Sequence, residues 1–236
     1  PFSLGLILSA EEECSGEGGI VSLSGYISEN YDFAIIGEPT MMKGAIGERG
    51  LLALDGKSSG KSGHAARNEG INAIDIAIRD IERLRNFHFE RRSELLGDIK
   101  MTVTQINAGT QHNVIPDECR FVIDIRTTDA YSNEETARII NELLESEAKE
   151  RSTRVHASAI YGDHPLVKAA IGIGRETFVS PTTSDMALMH GIPSLKMGVG
   201  ESSRSHGADE YVLESEIVEG IQGYIDYLAS LAEVLT

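Results

Sequence analysis

The most unusual feature of the sequence is a run of three glutamates, Glu11 to Glu13, which directly follows the apolar run 3–10. Neighbouring carboxylates repel one another, so the run needs a functional or structural reason. The apolar run is typical of a buried parallel strand, and active sites of open α/β sheets lie where such strands end. Adjacent side chains at a strand end can point in different directions. Glu12 and Glu13 are therefore candidates for binding a cation and for handling a proton.

Two more residues fit the same chemistry. Glu38 ends a second apolar run in "YDFAIIGEPT" (31–40), and the following proline favours an extended backbone at Glu38. His206 stands in "SRSHGADEY", a loop between a strand and the last helix. Carboxylate oxygens and an imidazole are ligands that suit zinc. Taken singly, each residue is also typical of a solvated loop glutamate or a structural histidine. Their joint placement at strand ends favours a metal site.

The middle of the chain contributes three polar residues with less specific patterns. His64 lies in "GHAARNEG", while Asn113 and Arg126 lie in "QHNVIPDECRFVIDIR". All three are also typical of an exposed sheet surface. Arg126 is the most informative, because an arginine fixed on a strand can clamp a carboxylate with both ends of its guanidinium.

The elements that must position these residues follow from the hydrophobic periodicity. Between residues 44 and 157 the order is strand, helix, strand, strand, helix, strand, which is the split βαβ arrangement of a ferredoxin-like layer. Its first helix is predicted from an apolar stripe at Ile71, Ile74, Ile78, Ile81 and Leu84, and its second from "SNEETARIINELLESEAKE", opened by Ser132. A strand is predicted in "RVHASAIY". Residues 1–43 and 158–236 then form one α/β domain, interrupted by the α+β unit 44–157.

Composition excludes some classes of partner. The chain has 236 residues and a net charge of −16, which argues against a broad nucleic-acid surface or contact with an anionic membrane. No run approaches the roughly 18 apolar residues of a membrane helix. The cysteines, Cys14 and Cys119, make no disulfide framework, so a reducing cytosol is the expected compartment.

The motifs together resemble a known family. In order along essentially the whole chain stand "SAEEECSG", "GEPT", "SGHAARNEGINAID", "NVIPDECRFVIDIR", "TTSD" and "SHGADEYV". This string resembles the cocatalytic dizinc amidohydrolases, a family that includes acetylornithine deacetylase, succinyl-diaminopimelate desuccinylase, aminoacylase and glutamate carboxypeptidase. The wording of "GEPT", "NVIP" and "TTSD" is closest to acetylornithine deacetylase. The resemblance implies a zinc-peptidase-like α/β catalytic domain, present in part, with an inserted ferredoxin-like lid and dimerisation domain.

The resemblance also implies a role for each matching residue. Glu12 resembles the general base, Glu13 and His206 resemble ligands of one zinc, and Glu38 resembles a ligand of the other. His64 resembles a lid histidine that reaches across a homodimer to polarise the scissile carbonyl. The residues that resemble substrate binders are Asn113, Arg126 and Thr183. Two zinc ions, with cobalt as an alternative metal, are the implied cofactors, and a small N-acyl amino acid is the implied substrate.

One part of the family's ligand set is missing from the sequence. The family has a histidine in a His-x-Asp motif and a bridging aspartate before the point where this chain starts, and no His-x-Asp occurs here. Either the chain is part of a longer enzyme, or the protein has lost its metals. We therefore expect the chain by itself to be inactive and to bind zinc poorly.

The leading functional hypothesis is zinc-dependent hydrolysis of the amide bond of an N-acyl-L-amino acid, with N-acetylornithine or a related arginine-biosynthesis intermediate as substrate. A di- or tripeptidase of the same family is one alternative. A non-catalytic binding or dimerisation module without metals is the other.

Overall fold

The computed structural model describes residues 2–67 and 69–236. In chain order the strands are β1 (Ala34–Ile36), β2 (Gly44–Glu48), β3 (Gly50–Ser59), β4 (Gly63–His64), β5 (Lys100–Ala108), β6 (Val114–Ile115), β7 (Glu118–Thr127), β8 (Glu147–Glu150), β9 (Ser158–Ala159), β10 (Thr177–Ser180) and β11 (Ser194–Lys196). The α-helices are α1 (Ser24–Asn30), α2 (Ala73–Asn86), α3 (Asn133–Leu143), α4 (Pro165–Gly172) and α5 (Glu214–Val234). Short 3-10 turns cover Glu12–Cys14, Ile20–Leu23, Asp185–Leu188 and Ser202–Arg204. Within the described residues, no helix combines the length and apolar character needed to cross a membrane.

The chain forms two compact units, which are described separately. The inserted unit is residues 50–156, and the split unit is residues 1–49 with 157–236. The inserted unit has a four-stranded antiparallel sheet in the order β5-β7-β3-β8, and its core joins this sheet to α2 and α3. The chain order β3-α2-β5-β7-α3-β8 gives the predicted ferredoxin-like arrangement.

Helix α2 exists as predicted, but it buries only part of the predicted apolar stripe: Leu84 is buried, and Ile74 and Ile81 are half-buried. Its buried positions include Ala73, Ala77 and Leu84, whereas Ile71 and Ile78 are 56% and 46% exposed. Small alanines allow a helix to lie close to a sheet, so they make the contact with β3 and β7. The larger isoleucines beside them stay at the surface.

The second half of the inserted unit differs from the prediction in one element. Ser132 caps α3 as predicted, its hydroxyl accepting a hydrogen bond from the Glu135 amide at 3.0 Å. The helix ends at Leu143, and the remainder of the predicted helix forms β8, which pairs with β3. The predicted strand in "RVHASAIY" is reduced to β9, which pairs with β2 in the split unit. The sheet of the inserted unit therefore ends with β8, which lies earlier in the chain than the strand predicted from the sequence.

The split unit contains a mixed sheet in the order β1-β11-β2-β10, with β9 also paired to β2. Strand β1 runs parallel to β11, and β10 runs parallel to β2. Helices α4 and α5 pack on the sheet through a core that includes Leu166, Leu195, Met197 and Tyr227, all with at most 1% of their surface exposed. The predicted strand in 31–40 is confirmed as β1, and Glu38 lies two residues after its end.

The predicted strand over residues 3–10 is not formed. The segment pairs with no strand of the described residues, and Leu4, Leu6 and Leu8 are 68%, 85% and 89% exposed. Only Ile7 of these apolar side chains packs on a core cluster, beside α1. An apolar run becomes a strand only where a partner supplies hydrogen bonds to its backbone. Hydrophobicity alone was therefore a misleading signal here.

Candidate active site

Glu12 carries the most perturbed carboxylate of the predicted site. It opens the 3-10 turn Glu12–Cys14, and its side chain is partly buried. Burial, and after it the neighbouring charges of Glu38, Asp185 and Glu13, together raise the pKa of Glu12 from 4.5 to about 7, against a smaller opposing effect of Lys196. A carboxyl group that titrates near neutral pH can both accept and release a proton under ordinary conditions.

Glu38 lies in the same electrostatic environment. It follows β1, and burial raises its pKa, with Lys196 opposing and Glu48, Asp185 and Glu13 adding to the rise. Its main chain is approached closely by Gly198, where a Cβ atom would stand 2.6 Å from the Glu38 carbonyl oxygen. Only glycine permits this approach. The end of β1 and the residues after β11 thus hold Glu38 against the carboxylate cluster.

Asp185 belongs to this cluster, although the sequence analysis did not select it. It begins the 3-10 turn Asp185–Leu188 and is 7% exposed. Its Oδ2 accepts a hydrogen bond from the Ser9 hydroxyl at 2.6 Å, while its buried Oδ1 has no hydrogen-bond partner within the described part of the chain. The "TTSD" motif was available as a signal, but the selected residue, Thr183, is exposed in the preceding loop.

A buried ion pair between Lys196 and Glu48 lies next to the carboxylate cluster. Lys196 Nζ lies 2.6 Å from Glu48 Oε2, with side chains 2% and 0% exposed. Lys196 also donates to the Ser180 hydroxyl and the Thr182 carbonyl, each at 3.0 Å, and Glu48 accepts from the Ser184 amide at 3.1 Å and hydroxyl at 3.0 Å. The pair therefore fixes the loop that precedes Asp185. No sequence signal links Glu48 with Lys196, because they lie far apart in the chain and in no shared motif.

The structure brings Glu13 and His206 close together. Glu13 Oε2 lies 3.8 Å from His206 Nε2, and both side chains are largely exposed. His206 has a left-handed backbone, with φ of 59°, and its amide donates to Glu210 at 3.3 Å. Its loop is anchored by Arg204, which donates twice to Glu216 at 2.8 and 2.9 Å.

These donors fit a divalent cation in chemistry, but they supply only part of a ligand set. Burial first, and then repulsion among the carboxylates, raises the pKa values of Glu12 and Glu38, and the unpartnered Oδ1 of Asp185 is a buried acceptor. A cation beside them would relieve this repulsion. Across residues 2–67 and 69–236, however, no three His, Cys, Asp or Glu side chains converge closely enough to hold a metal ion.

In the inserted unit, the structure brings His64 and Asn113 together on a two-stranded ribbon. Strand β4 pairs with β6, and the Ala65 amide donates to the Asn113 carbonyl at 3.0 Å. The Ala66 amide donates to His64 Nδ1 at 3.1 Å, which places the proton of a neutral ring on Nε2. Both side chains are exposed, so they are open to a ligand.

Arg126 lies on β7 and is already engaged. Its guanidinium donates to both carboxylate oxygens of Asp124, at 2.9 and 3.2 Å. The side chain remains 43% exposed. A substrate carboxylate would therefore have to share or replace this contact.

Known proteins match the chain along most of its length. Residues 46–152 match the family model described as a peptidase dimerisation domain. The whole chain is 27% identical over 225 residues to a peptidase M20 domain-containing protein of Schizosaccharomyces pombe, a match that covers 94% of this chain and 54% of that protein. The chain is thus similar in sequence to M20 peptidases.

Other M20 relatives have more specific names. The chain is 30% identical over 153 residues to a succinyl-diaminopimelate desuccinylase of Sulfurimonas denitrificans, covering 61% of this chain and 42% of the relative. It is 28% identical over 200 residues to an acetylornithine deacetylase of Photorhabdus laumondii, covering 77% and 52%. The chain thus spans about half the length of the curated M20 relatives that it matches.

Solved structures share the M20 fold. Aminopeptidase PepT from Bacillus cereus matches with a TM-score of 0.71 at 19% identity, over 95% of this chain and 63% of that one. The Bacillus subtilis YXEP protein, described as a dinuclear metal binding peptidase from the M20 family, matches with a TM-score of 0.65 at 18% identity, over 97% and 64%. Together with the observed sheets and helices, these matches confirm the α/β fold with an inserted α+β unit.

Proposed function

We propose that the complete protein is a metal-dependent amidohydrolase that cleaves the amide bond of an N-acyl-L-amino acid. The observation that carries this proposal is the partly buried Glu12, whose pKa of about 7 suits acid–base catalysis at neutral pH. The names of the relatives support an N-acyl amino acid as substrate. N-acetylornithine, or a related intermediate of arginine biosynthesis, is the specific substrate that we propose.

Glu13, Glu38 and His206 would contribute ligands to the two metal ions. Zinc, when bound, supplies a Lewis acid that polarises a carbonyl and makes water more acidic. The ligands missing from this chain would come from a longer polypeptide. Zinc is our proposal, and cobalt is the alternative, because carboxylate and imidazole donors accommodate both.

Glu12 would move the proton. Its carboxylate accepts a proton from the attacking water and later donates it to the amine that leaves. A group with a pKa near 7 is efficient in both directions, because neither protonation state is strongly favoured. Burial and the neighbouring carboxylates together therefore suit Glu12 to two successive steps.

His64 would stabilise the oxyanion that develops on the scissile carbonyl. Because Nδ1 accepts from the Ala66 amide, Nε2 carries the hydrogen and can donate it outward. We propose that it serves the active site of the partner subunit. Asn113 on the same ribbon, together with Arg126 and Thr183, would contact the substrate, with Arg126 binding its carboxylate.

The inserted unit would form the homodimer. Strand β5 is an edge strand, and edge strands require a cover or a partner. Beside it lies a shallow cavity of about 140 Å³ lined by residues of α2, β5 and β7, among them Ile81 and Met101. The exposed Ile78 lies on the same helix. A two-fold pairing would cover the edge and these apolar side chains.

The test uses the full-length protein and three substrate classes. Metal analysis is combined with hydrolysis of N-acetylornithine, N-succinyl-diaminopimelate and a set of di- and tripeptides. We expect about two zinc ions per chain and a preference for N-acetylornithine. Preferred cleavage of peptides would establish the peptidase alternative, and absence of both metal and hydrolysis would establish the non-catalytic alternative.

The Glu12→Gln variant tests the assigned mechanism. We expect turnover to fall by about 10²–10⁴-fold with metal content nearly unchanged, because the general base acts on water rather than on the metal. Loss of a metal ion in this variant would show that the roles of Glu12 and Glu13 have been exchanged.

A further inference from the structure

The turn that carries Glu12 and Glu13 has an unfavourable backbone at both ends. Glu11, before the turn, has φ of 57°, and Ser15, after it, has φ of 49°. Left-handed backbone at a residue other than glycine is strained, and it persists only where surrounding contacts enforce it. Some interaction must therefore hold this turn in shape.

The contacts of Glu11 supply that interaction. Its carboxylate Oε2 accepts a hydrogen bond from the Gly18 amide at 2.9 Å, and its main-chain carbonyl accepts from the Gly16 amide at 3.0 Å. The turn itself is closed by the Ser15 amide, which donates to the Glu12 carbonyl at 2.9 Å. The side chain of Glu11 thus joins the start of the turn to the loop that follows it.

The glycines of "CSGEGG" make room for this contact. A Cβ atom at Gly18 would stand 2.9 Å from Glu11 Oε1 and 3.1 Å from its Cδ and Oε2. A Cβ atom at Gly16 would stand 2.1 Å from Oε2. Both distances are too short for carbon beside oxygen, so the loop accommodates the folded-back carboxylate only with glycine.

This geometry separates the three consecutive glutamates by role. The carboxylate charges that raise the pKa of Glu12 include those of Glu38, Asp185 and Glu13. The carboxylate of Glu11 is instead tied to a backbone amide in the following loop. The first glutamate therefore acts on the conformation of the turn, while the next two present their side chains to the site.

We propose that Glu11 is a positioning residue. Its carboxylate accepts a hydrogen bond from the Gly18 amide and so holds the turn in the conformation that presents Glu12 and Glu13 to the metals and the substrate. The inference deepens the proposed function and rests on it. It assigns Glu11 no contact with metal, water or substrate. Any hydrogen-bond acceptor of the same length should perform the task, because the contact requires an oxygen rather than a charge.

The test compares four variants of the full-length protein: Glu11→Ala, Glu11→Gln, Gly18→Ala and the double variant Glu11→Ala/Gly18→Ala. Glu29→Ala, on the exposed surface of α1, is the control. The readouts are zinc affinity by competition with a chelator, the absorption spectrum of the cobalt-substituted protein, and hydrogen exchange of residues 11–18 without metal.

We expect Glu11→Ala to weaken zinc binding by about 10-fold, at the low end of the effect of removing a group that orients a ligand, and to change the cobalt spectrum. Hydrogen exchange at the Gly18 amide should accelerate. Glu11→Gln should restore all three readouts, and Glu29→Ala should change none. Gly18→Ala should resemble Glu11→Ala, and the double variant should be no worse than Glu11→Ala, because the added Cβ then meets no carboxylate.

Two results would overturn the inference. One is a Glu11→Ala protein with wild-type zinc affinity and cobalt spectrum, even if its melting temperature falls. The other is full additivity of the two single changes. Failure of the proposed function looks different: the wild-type protein would then take up neither zinc nor cobalt.

Discussion

Replacing Glu12 by glutamine should stabilise the metal-free protein, and increasingly so as the pH rises above about 5. In the unfolded chain the carboxyl group loses its proton near its ordinary pKa of 4.5, whereas in the folded protein it does so near 7. Between these values the folded state binds more protons than the unfolded state. The free energy of unfolding therefore falls as the pH rises through this window. Glutamine has a similar shape and carries no charge, so it removes this loss.

The size of the effect follows from the shift. A change from 4.5 to about 7 corresponds to at most about 3 kcal/mol. Since the side chain is only partly buried, screening by solvent reduces this to about 1–2 kcal/mol. For a chain of this length, that is a rise of about 2–8 °C in melting temperature at pH 8.

The assay is thermal unfolding of both proteins in a chelating buffer from pH 4 to 8. The two melting curves should coincide near pH 4 and separate progressively above pH 5. Glu29→Gln, which removes an exposed carboxylate from α1, should follow the wild type at every pH. A constant difference between Glu12→Gln and wild type across the range would refute the reasoning, because it would reflect packing rather than proton binding.

Three further outcomes are expected. His64→Ala should lower kcat by about 10²–10³-fold with zinc content unchanged. If His64 acts across subunits, mixing this variant with Glu12→Gln should restore up to half the activity per dimer. A mixture that stays inactive despite proven subunit exchange would refute the role across subunits. Lys196→Met should destabilise the protein by about 3–5 kcal/mol in denaturant titrations, because Glu48 is left buried and unpaired, and Glu48→Gln in the same chain should recover part of the loss. Isothermal titration of the 236-residue chain alone should show only weak zinc binding, and tight uptake of two ions would contradict the missing-ligand hypothesis.

The sequence predicted the inserted unit well because its signals are local. Strands β3 and β7 bury alternate residues along most of their length, and each pattern can be recognised without knowledge of its partner. Errors arose where the partner decided the outcome. The isoleucines of α2 and the leucines of segment 3–10 are apolar, yet which of them is buried depends on the shape of the surface that each one meets.

The candidate site shows the same division. Glu12, Glu13, Glu38 and His206 stand in recognisable motifs, and the structure places Glu13 beside His206 and the charges of Glu38 and Glu13 near Glu12. The residues that support them are set by three-dimensional contacts. The pairing of Lys196 with Glu48 joins positions far apart in the chain. The contact of Glu11 with Gly18 depends on the left-handed backbone of Glu11, which no sequence motif predicts.

The charges around Glu12 show how a contact that no motif predicts, the pairing of Lys196 with Glu48, bears on the candidate site. The positive charge of Lys196 lowers the pKa of both Glu12 and Glu38, against the other effects that raise it. Its ammonium group already donates to Ser180 and Thr182 and lies 2.6 Å from Glu48, so its charge is largely committed to the buried pair. Burial, together with repulsion among the carboxylates, therefore outweighs the effect of Lys196, and the pKa values of Glu12 and Glu38 are raised. The fold thus places a lysine beside the site without neutralising it, which keeps the pKa of Glu12 raised and would leave the cluster attractive to the divalent cation that we propose.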